Sequence, residues 1–326
     1  MHKPTCSTAF ELFDSHELDG GKGLRATRFL KAGQEISRES SILRCPNGHP
    51  ARTEREAKNL HKQCVADKFE QLSAKQQRAV LDLSSWMEKE NDKNDTNDDD
   101  QDDGQDDQDD DGQDDDGQAN ITYGLYQTNS LRLTGKDHKD GALFLTMSRI
   151  NHSCRPNVNF FWRGDLQKLV VIALADIQVG QELYGSYGPS ELMDTKGRRE
   201  HLLKEFGFHC MCSMCVAAQT DGGVMDSRMR QADFLCSQVR PFVSRGEHIE
   251  AIDAIEKCMD LLIEQKIGQG VGARQLLTMG YQVALMGLKD KELARNYLER
   301  ELQLAELCEG VASPGSIEIQ SRLLAI

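Results

Sequence analysis

Three cysteines lie within six residues of this chain, Cys210, Cys212 and Cys215, whereas the other seven cysteines are dispersed. The Cys-x-Cys-x-x-Cys spacing lets three thiolates converge on one ion, with each sulfur about 2.3 Å from zinc. Structural zinc takes four ligands, so one more must come from elsewhere. His209 is a candidate, although a neighbour of Cys210 would have to bend sharply to reach the same ion. The competing interpretation is a chance cluster of buried thiols.

A strongly acidic segment separates two parts of the chain. Residues 91–118 contain fifteen Asp and one Lys, which accounts for the whole formal net charge of −14. The remaining chain carries equal numbers of acidic and basic residues. Because the segment has no apolar residue to bury and its like charges repel, we expect it to be disordered. One interpretation is a solvated loop. The other is an interaction segment that attracts a basic tail electrostatically or mimics nucleic acid.

The length and composition restrict the class of protein. A chain of 326 residues can form one substantial domain and a smaller one. No run of eighteen apolar residues occurs, and the N-terminal residues lack the apolar run of a signal peptide. We therefore expect an intracellular protein of the nucleus or the cytoplasm, without membrane contact. Outside the acidic segment the chain is neutral, which argues against direct nucleic-acid binding through Lys and Arg.

The local patterns change along the chain from strands to helices. Residues 8–44 and 120–190 have strand-and-turn character, and residues 169–174 form the most strongly apolar strand. Residues 51–90 have apolar positions at helical spacing, which predicts a helical insertion. Helices are predicted again for residues 190–206 and from residue 225 almost to the end, where paired helices indicate a helix-repeat-like region.

Three further segments combine glycines and polar residues in a defined order. A glycine-rich turn lets a backbone approach a ligand closely, although such turns are common in any hairpin. The other two segments could also be polar turns between strands, but their length makes them more specific. They are Gly21-Lys22-Gly23-Leu24-Arg25-Ala26, Arg149-Ile150-Asn151-His152-Ser153-Cys154-Arg155-Pro156-Asn157, and Gly180-Gln181-Glu182-Leu183-Tyr184-Gly185-Ser186-Tyr187-Gly188.

In this order, the three segments and the cysteine cluster resemble the motifs of the SET domain, over residues 8–44 and 120–216. The resemblance implies an α+β fold of small β-sheets with a knot-like C-terminal segment, interrupted by the helical insertion at 51–90 and the acidic insert at 91–118. The SET domain would occupy residues 1–216, ending in a cysteine-rich post-SET segment at 206–216. An α-helical region would follow at 217–326.

The helices after the motifs resemble those of SET/MYND-type proteins and their fungal relatives, which implies a fungal source. A MYND zinc module needs many cysteines and a histidine in the insertion. Residues 40–90 supply only Cys45, Cys64, His49 and His61. We therefore expect no MYND module here.

The resemblance also implies a function, the transfer of a methyl group from S-adenosylmethionine to a protein lysine. Tyr187 matches the catalytic tyrosine, and Cys154 would complete a structural zinc site with Cys210, Cys212 and Cys215. The zinc would pin the post-SET segment beside the cofactor motif. The residues that would contact the cofactor are Gly21, Lys22, Gly23, Tyr123, Asn129, Asn151, His152, Tyr187 and Phe208.

The expected partner is a protein with a target lysine, such as a basic, histone-like tail attracted by the acidic segment. A chromatin regulator would fit this description. The alternative is a catalytically inactive SET-like protein that binds partners through its helical C-terminus and its acidic loop. Intact motif residues, Asn151 and Tyr187 among them, favour the enzyme.

Overall fold

The structure is a computed structural model that describes residues 9–15, 21–47, 53–83, 113–188, 192–267 and 270–326. It divides into two compact units. Unit 1 comprises Met1–Ser37, Ile150–Phe161 and Val170–Ile326, and unit 2 comprises Arg38–Arg149 and Trp162–Leu169. This division differs from the predicted one, which placed a boundary after residue 216, and that boundary stays a prediction.

Ten short strands are present in the described residues. They are β1 (Phe10–Asp14), β2 (Lys22–Ala26), β3 (Glu35–Glu39), β4 (Leu43–Pro46), β5 (Ser130–Arg132), β6 (Asp140–Leu143), β7 (Asn151–His152), β8 (Val158–Arg163), β9 (Lys168–Ala173) and β10 (Tyr184–Gly185). They form small sheets of two or three strands.

Ten α-helices accompany the strands in the described residues. They are α1 (Glu54–Glu70), α2 (Ala74–Leu81), α3 (Gln113–Asn129), α4 (Thr195–Phe206), α5 (Ser213–Ala217), α6 (Val224–Arg245), α7 (His248–Glu264), α8 (Val271–Gln282), α9 (Lys291–Glu309) and α10 (Pro314–Ala325). A π-helical turn at Val283–Leu288 follows α8. The predicted α+β class is confirmed. No described helix is both long enough and apolar enough to cross a membrane.

Unit 2 joins a small antiparallel sheet to three helices. The sheet has the order β4-β6-β5, with Leu43 opposite Leu143. Helix α1 begins at the N-cap Thr53, whose side chain accepts a hydrogen bond from Glu56 N, and Ser73 forms a capping box with Gln76 at the start of α2. These helices bury their apolar side chains with the sheet in one core, which includes Val65, Phe69, Val80, Tyr126 and Leu143.

Helix α3 corrects two predictions. It begins at Gln113, inside the segment predicted to be disordered, and it continues to Asn129 through residues predicted to have strand-and-turn character. Local composition gave the wrong result because Leu125 and Tyr126 are buried in the core of unit 2, and this tertiary packing stabilises the helix. The predicted disorder of residues 91–112 cannot be compared with the structure, because these residues lie outside the described ones. The same is true of residues 84–90, the end of the predicted helical insertion.

Unit 1 contains the strands that carry the predicted motifs. Strands β1 and β2 form an antiparallel pair, and the two-residue strands β7 and β10 run parallel, with Tyr184 opposite Asn151 and Gly185 opposite His152. Strand β9 is central in a sheet of order β3-β9-β8, and its apolar residues are buried, as predicted. The knot-like crossing of the C-terminal segment stays a prediction.

The helices of unit 1 share their core with the cysteine-rich segment. Cys210, Cys212 and Cys215 belong to the same buried cluster as Met229 of α6 and Ile255 of α7. Gly246 ends α6 in a left-handed conformation with φ of 77°, and this turn lets α7 pack against α6. The cysteine-rich segment and the C-terminal helices are therefore stabilised by one hydrophobic core.

Candidate active site and metal centre

Four cysteines form a compact group in unit 1: Cys154, Cys210, Cys212 and Cys215. Their sulfur atoms all lie within 4.8 Å of one another. The Sγ atom of Cys154 is 3.9 Å from that of Cys210 and 3.6 Å from that of Cys215. Four sulfurs around one zinc ion are about 3.8 Å apart, because each Zn–S bond measures about 2.3 Å in a tetrahedron. The group therefore has the donor set and the spacing to hold a metal ion.

The local backbone explains how the three clustered cysteines converge. Gly207 follows the last residue of helix α4 as its C-cap, and its left-handed conformation (φ 69°) reverses the chain, while Cys212 is the N-cap of the short helix α5. His209 lies between these two points, but its side chain is exposed and is not part of the group that could hold an ion. Cys154 is therefore the fourth donor that the structure brings to the cluster.

The charge around the cluster also fits a bound cation. Hydrogen bonding with Cys210 raises the pKa of Cys154, whereas hydrogen bonding with Cys154 lowers the pKa of Cys212. Four thiols cannot all ionise in such a small buried volume unless a cation offsets their charge, and metal binding does this by displacing their protons. The buried Arg198, whose Nη2 atom is 3.9 Å from Cys215 Sγ, would offset the negative charge that four thiolates carry in excess of one divalent ion.

His152 lies between this cluster and Tyr187. Its Nδ1 atom accepts a hydrogen bond from the backbone N–H of Tyr187 at 3.1 Å, and its Nε2 atom lies 3.5 Å from Cys154 Sγ. Burial lowers the pKa of His152 to about 4, so the ring is neutral at physiological pH. Since Nδ1 is the acceptor, the proton belongs on Nε2, from which it points to the sulfur. One imidazole thus connects a metal-ligand candidate to the predicted catalytic residue.

Tyr187 is held in an aromatic environment. Its hydroxyl donates a hydrogen bond to the carbonyl of Ile150 at 2.7 Å. Its ring centroid lies 5.1 Å from that of Phe206, 6.4 Å from that of Phe208 and 5.4 Å from that of His152. Burial raises the pKa of Tyr187, so its hydroxyl stays protonated at neutral pH. Such a phenol can orient a ligand by hydrogen bonding but cannot serve as a strong base.

Asn151 is bound from two sides by acceptors. Its Nδ2 atom donates to Glu182 Oε1 at 2.7 Å and to the carbonyl of Lys22 at 3.3 Å. Gly23 lies beside this pair, and a Cβ atom on it would overlap Glu182 Oε1 and come within 2.9 Å of Asn151 Nδ2. The glycine-rich turn therefore packs directly against the Asn-His motif. Gly21 is nearby in sequence and accepts a backbone hydrogen bond from Ser15.

Asn157, the last residue of the Asn-His-Ser-Cys motif, holds the following Gly-Gln-Glu-Leu motif in place through two hydrogen bonds. Asn157 Nδ2 donates to the carbonyl of Glu182 at 2.8 Å, and Asn157 Oδ1 accepts from the backbone N–H of Tyr184 at 2.8 Å. These bonds, with the parallel pairing of β7 and β10, set the register of the two motifs. That register brings Tyr187 next to His152.

Two predicted cofactor residues belong to unit 2. Tyr123 and Asn129 both lie on helix α3. The ring of Tyr123 is buried, with its centroid 5.6 Å from that of His61, and the Nδ2 atom of Asn129 donates to the carbonyl of Leu125 at 2.9 Å. Their role at a cofactor stays a prediction. Phe208, in contrast, lies in unit 1 with a ring centroid 6.1 Å from that of His152.

Sequence reasoning missed the residues that support the predicted ones. Glu182 and Tyr184 both lie in the third motif, and neither was assigned a role from the sequence. In the structure Tyr184 donates its hydroxyl to Glu182 Oε2 at 2.8 Å, and Ser15 donates to the same oxygen at 3.0 Å. The available signal was a carboxylate directly before Leu183, a buried residue, because a carboxylate needs donors when it is partly buried.

The sequence profile described as "SET domain" matches residues 21–188 of the 326-residue chain. The chain belongs to the SET-domain family. All three polar motifs lie inside the matched SET domain, and the cysteines at 210–215 follow it. The predicted resemblance is thereby confirmed.

Two relatives show how similar this SET-domain chain is to named methyltransferases. "Histone-lysine N-methyltransferase set5" of Schizosaccharomyces pombe is 38% identical over 109 residues, which cover 33% of this chain and 33% of that protein. "N-lysine methyltransferase SMYD2-A" of Danio rerio is 31% identical over 116 residues, 34% of this chain and 26% of that protein. The matched part thus spans a third or less of the length of these relatives.

Solved structures of low sequence identity also align with the chain. The structure described as "Rubisco LSMT bound to AdoMet" aligns over 99% of this chain and 93% of that chain, with a TM-score of 0.37 and 12% identity.

Proposed function

We propose that this SET-domain chain is an S-adenosylmethionine-dependent protein-lysine N-methyltransferase. The observation that carries the proposal is the fixed position of Tyr187, whose hydroxyl is bound to the carbonyl of Ile150 at 2.7 Å beside Asn151 and His152. The S. pombe relative is named a histone-lysine N-methyltransferase and the D. rerio relative an N-lysine methyltransferase, and both names support the same reaction.

When bound, S-adenosylmethionine supplies the methyl group as part of a sulfonium. The chain's contribution is mainly orientation in an enclosed site. Because the Tyr187 proton is donated to Ile150, the lone pairs of the phenol oxygen remain available to a substrate amine. Burial raises the pKa of this phenol, so it acts in its neutral form. Tyr187 therefore positions the amine rather than deprotonating it.

The attacking lysine must be neutral, although its ordinary pKa is about 10.4. Transfer of the side chain from water into an enclosed site disfavours the ammonium form, and a neighbouring sulfonium charge acts in the same direction. Phe206 and Phe208 support this environment, because their rings pack near Tyr187. The ammonium would therefore release its proton to solvent as the side chain enters the site, and the neutral amine would attack the methyl group.

We propose a set of residues of the chain as the contacts of the cofactor. Gly21, Lys22 and Gly23 would form the backbone loop at its amino-acid end, and the contact of Lys22 O with Asn151 Nδ2 joins that loop to the Asn-His motif. Asn151, His152 and Phe208 would complete the site from unit 1. Tyr123 and Asn129 of α3 are proposed as further cofactor contacts.

We propose zinc as the ion of the four-cysteine cluster, in a structural role. Four sulfur donors are typical of structural zinc, whereas catalytic zinc keeps an open position. The ion would hold the post-SET segment at 206–216 against Cys154, two residues after His152. It would therefore support the cofactor site without contacting the methyl group.

The substrate is proposed to be a basic protein segment with a target lysine, such as a histone tail. The name of the S. pombe relative supports this class. The excess of aspartate in residues 91–118 would attract such a segment electrostatically. The enzyme would act in the nucleus or the cytoplasm, with no direct nucleic-acid contact.

Methylation assays with radiolabelled S-adenosylmethionine test the proposal. Core histones and a fungal cell lysate are suitable substrate pools, and mass spectrometry of the products would identify methylated lysines. We expect labelled protein with the wild type and little with Tyr187→Phe. Absence of both cofactor binding and label would contradict the proposal. Cofactor binding without any label would instead favour the non-catalytic scaffold.

A further inference from the structure

Glu182 is a partly buried carboxylate in unit 1 that receives three side-chain hydrogen bonds from residues that the structure describes. Its Oε1 atom accepts from Asn151 Nδ2 at 2.7 Å, and its Oε2 atom accepts from Ser15 Oγ at 3.0 Å and from Tyr184 OH at 2.8 Å. A carboxylate without a proton can only accept, so all three partners must act as donors. Two hydroxyls thus fix one oxygen, and the other oxygen is left for Asn151.

The neighbours of Asn151 determine which way its amide points. The oxygen and nitrogen of an asparagine are nearly alike in shape, and their placement is decided by hydrogen bonding. Here both contacts of the Nδ2 atom, Glu182 Oε1 and Lys22 O, are acceptors. The reversed amide would place its oxygen against a carboxylate and a carbonyl, which repel it. Oδ1 must therefore point away from Glu182.

We propose that Glu182 is a positioning residue that fixes the amide of Asn151 for cofactor binding. It makes Asn151 present a hydrogen-bond acceptor, and not a donor, to the ligand. The inference rests on the proposed function, because it assumes that Asn151 contacts S-adenosylmethionine. The amino-acid end of that cofactor carries an ammonium donor that suits such an acceptor.

Gly23 gives independent geometric support for this arrangement. A Cβ atom at this position would overlap Glu182 Oε1 and approach Asn151 Nδ2 to 2.9 Å. A side chain here would therefore separate the carboxylate from the amide or displace both. The second glycine of the Gly-x-Gly turn is needed for the Glu182–Asn151 pair as well as for any ligand.

The experiment measures S-adenosylmethionine affinity by calorimetry and peptide KM by methylation assay in a set of full-length variants. Glu182→Gln keeps an acceptor for Asn151, and the two hydroxyls can rotate to accept from its new N–H group. We expect its cofactor Kd to stay within about threefold of wild type. Glu182→Leu removes the acceptor, and we expect cofactor Kd to rise by about tenfold with little change in peptide KM.

A polarity swap separates positioning from simple structural support. Asn151→Asp places two carboxylates in contact, and we expect cofactor Kd to rise by about a hundredfold. In Asn151→Asp/Glu182→Gln the new amide can donate to the new carboxylate, and an acceptor again faces the ligand. We expect this double variant to bind the cofactor about tenfold more tightly than Asn151→Asp alone. Glu264→Gln, a change at an exposed residue of α7, is the control.

Thermal melting would show which variants are folded. If Glu182→Leu does not fold, the inference is tested by comparing the cofactor affinity of Asn151→Asp with that of the double variant. Equal affinity of those two, or a folded Glu182→Leu that binds like wild type, would overturn the inference while leaving the proposed function intact. A wild type that binds no S-adenosylmethionine would overturn both.

Discussion

The imidazole of His152 connects Cys154 to Tyr187: its Nε2 atom lies 3.5 Å from Cys154 Sγ, and its Nδ1 atom accepts the backbone N–H of Tyr187 at 3.1 Å. Residues that hydrogen-bond to metal ligands commonly orient those ligands. Here the same ring also orients the backbone of the proposed catalytic residue. Loss of metal should therefore affect the active site as well as the fold.

Tyr187→Phe removes the hydroxyl that is bound to Ile150. We expect kcat to fall by about a hundredfold, because the substrate amine loses its orienting group. The loss of one hydrogen bond should lower the free energy of unfolding by only about 1 kcal/mol. Tyr281→Phe, in α8 of the same unit, is the matched control. Equal kcat for Tyr187→Phe and wild type would remove Tyr187 from its proposed role.

Removal of metal by a strong chelator should lower both the melting temperature and the affinity for S-adenosylmethionine. The expected content is about one zinc ion per chain, because four sulfur donors complete one coordination sphere. Cys212→Ser should lose this metal, whereas Cys236→Ser, a change at a half-buried cysteine of α6, should keep it. Elemental analysis and calorimetry are the measurements. Unchanged cofactor affinity after complete zinc loss would contradict the coupling through His152.

His152→Asn tests that coupling without removing a cysteine. The shorter side chain can still accept from the Tyr187 N–H but cannot extend to Cys154 Sγ. We expect zinc still to bind, but with a dissociation constant about tenfold higher or more, because loss of a group that hydrogen-bonds to a metal ligand commonly weakens metal affinity to this extent. Competition with a chromogenic zinc chelator measures this affinity. If His152→Asn and wild type retain zinc equally, the contact at 3.5 Å has no role in metal binding.

Gly23→Ala should weaken cofactor binding, because its Cβ atom would displace Glu182 or Asn151. We expect a rise in Kd of about tenfold or more, measured by calorimetry. Gly117→Ala is the matched control, since nothing lies within 4 Å of its added Cβ atom. In helix α3 this control should raise the free energy of unfolding by about 0.5–1 kcal/mol. A cofactor Kd for Gly23→Ala equal to that of the wild type would show that Glu182 and Asn151 can shift without loss of cofactor binding.

The acidic segment can be tested by its charge. Replacing residues 92–111 with a Gly/Ser linker of equal length leaves all of α3, which begins at Gln113, in place. We expect KM for a basic peptide to rise about fivefold at low salt, and the difference from wild type to vanish near 0.5 M salt through screening. Neutral peptides should show no difference. An unchanged KM for the basic peptide at low salt would refute the proposed attraction.

Local sequence determined much of the site. Cys-x-Cys-x-x-Cys spacing indicates a metal cluster because three donors within six residues are brought together by short turns. The order of the Gly-x-Gly, Asn-His-Ser-Cys and Gly-Gln-Glu-Leu motifs indicates the SET domain, and the profile match over residues 21–188 bears this out. Apolar patterning also identified β9 as a buried strand.

Features that depend on contacts between residues far apart in sequence were decided by the tertiary structure. Helix α3 begins inside an acidic run because Leu125 and Tyr126 are buried in the core of unit 2, which no local propensity records. Glu182 and Asn151 are far apart in sequence, and the parallel register of β7 and β10, which pairs Tyr184 with Asn151, brings them into contact. The sequence by itself determined the chemical groups. The direction of the Asn151 amide and the link from Cys154 through His152 to Tyr187 required the fold, because hydrogen bonds depend on distances and angles that only the folded chain defines.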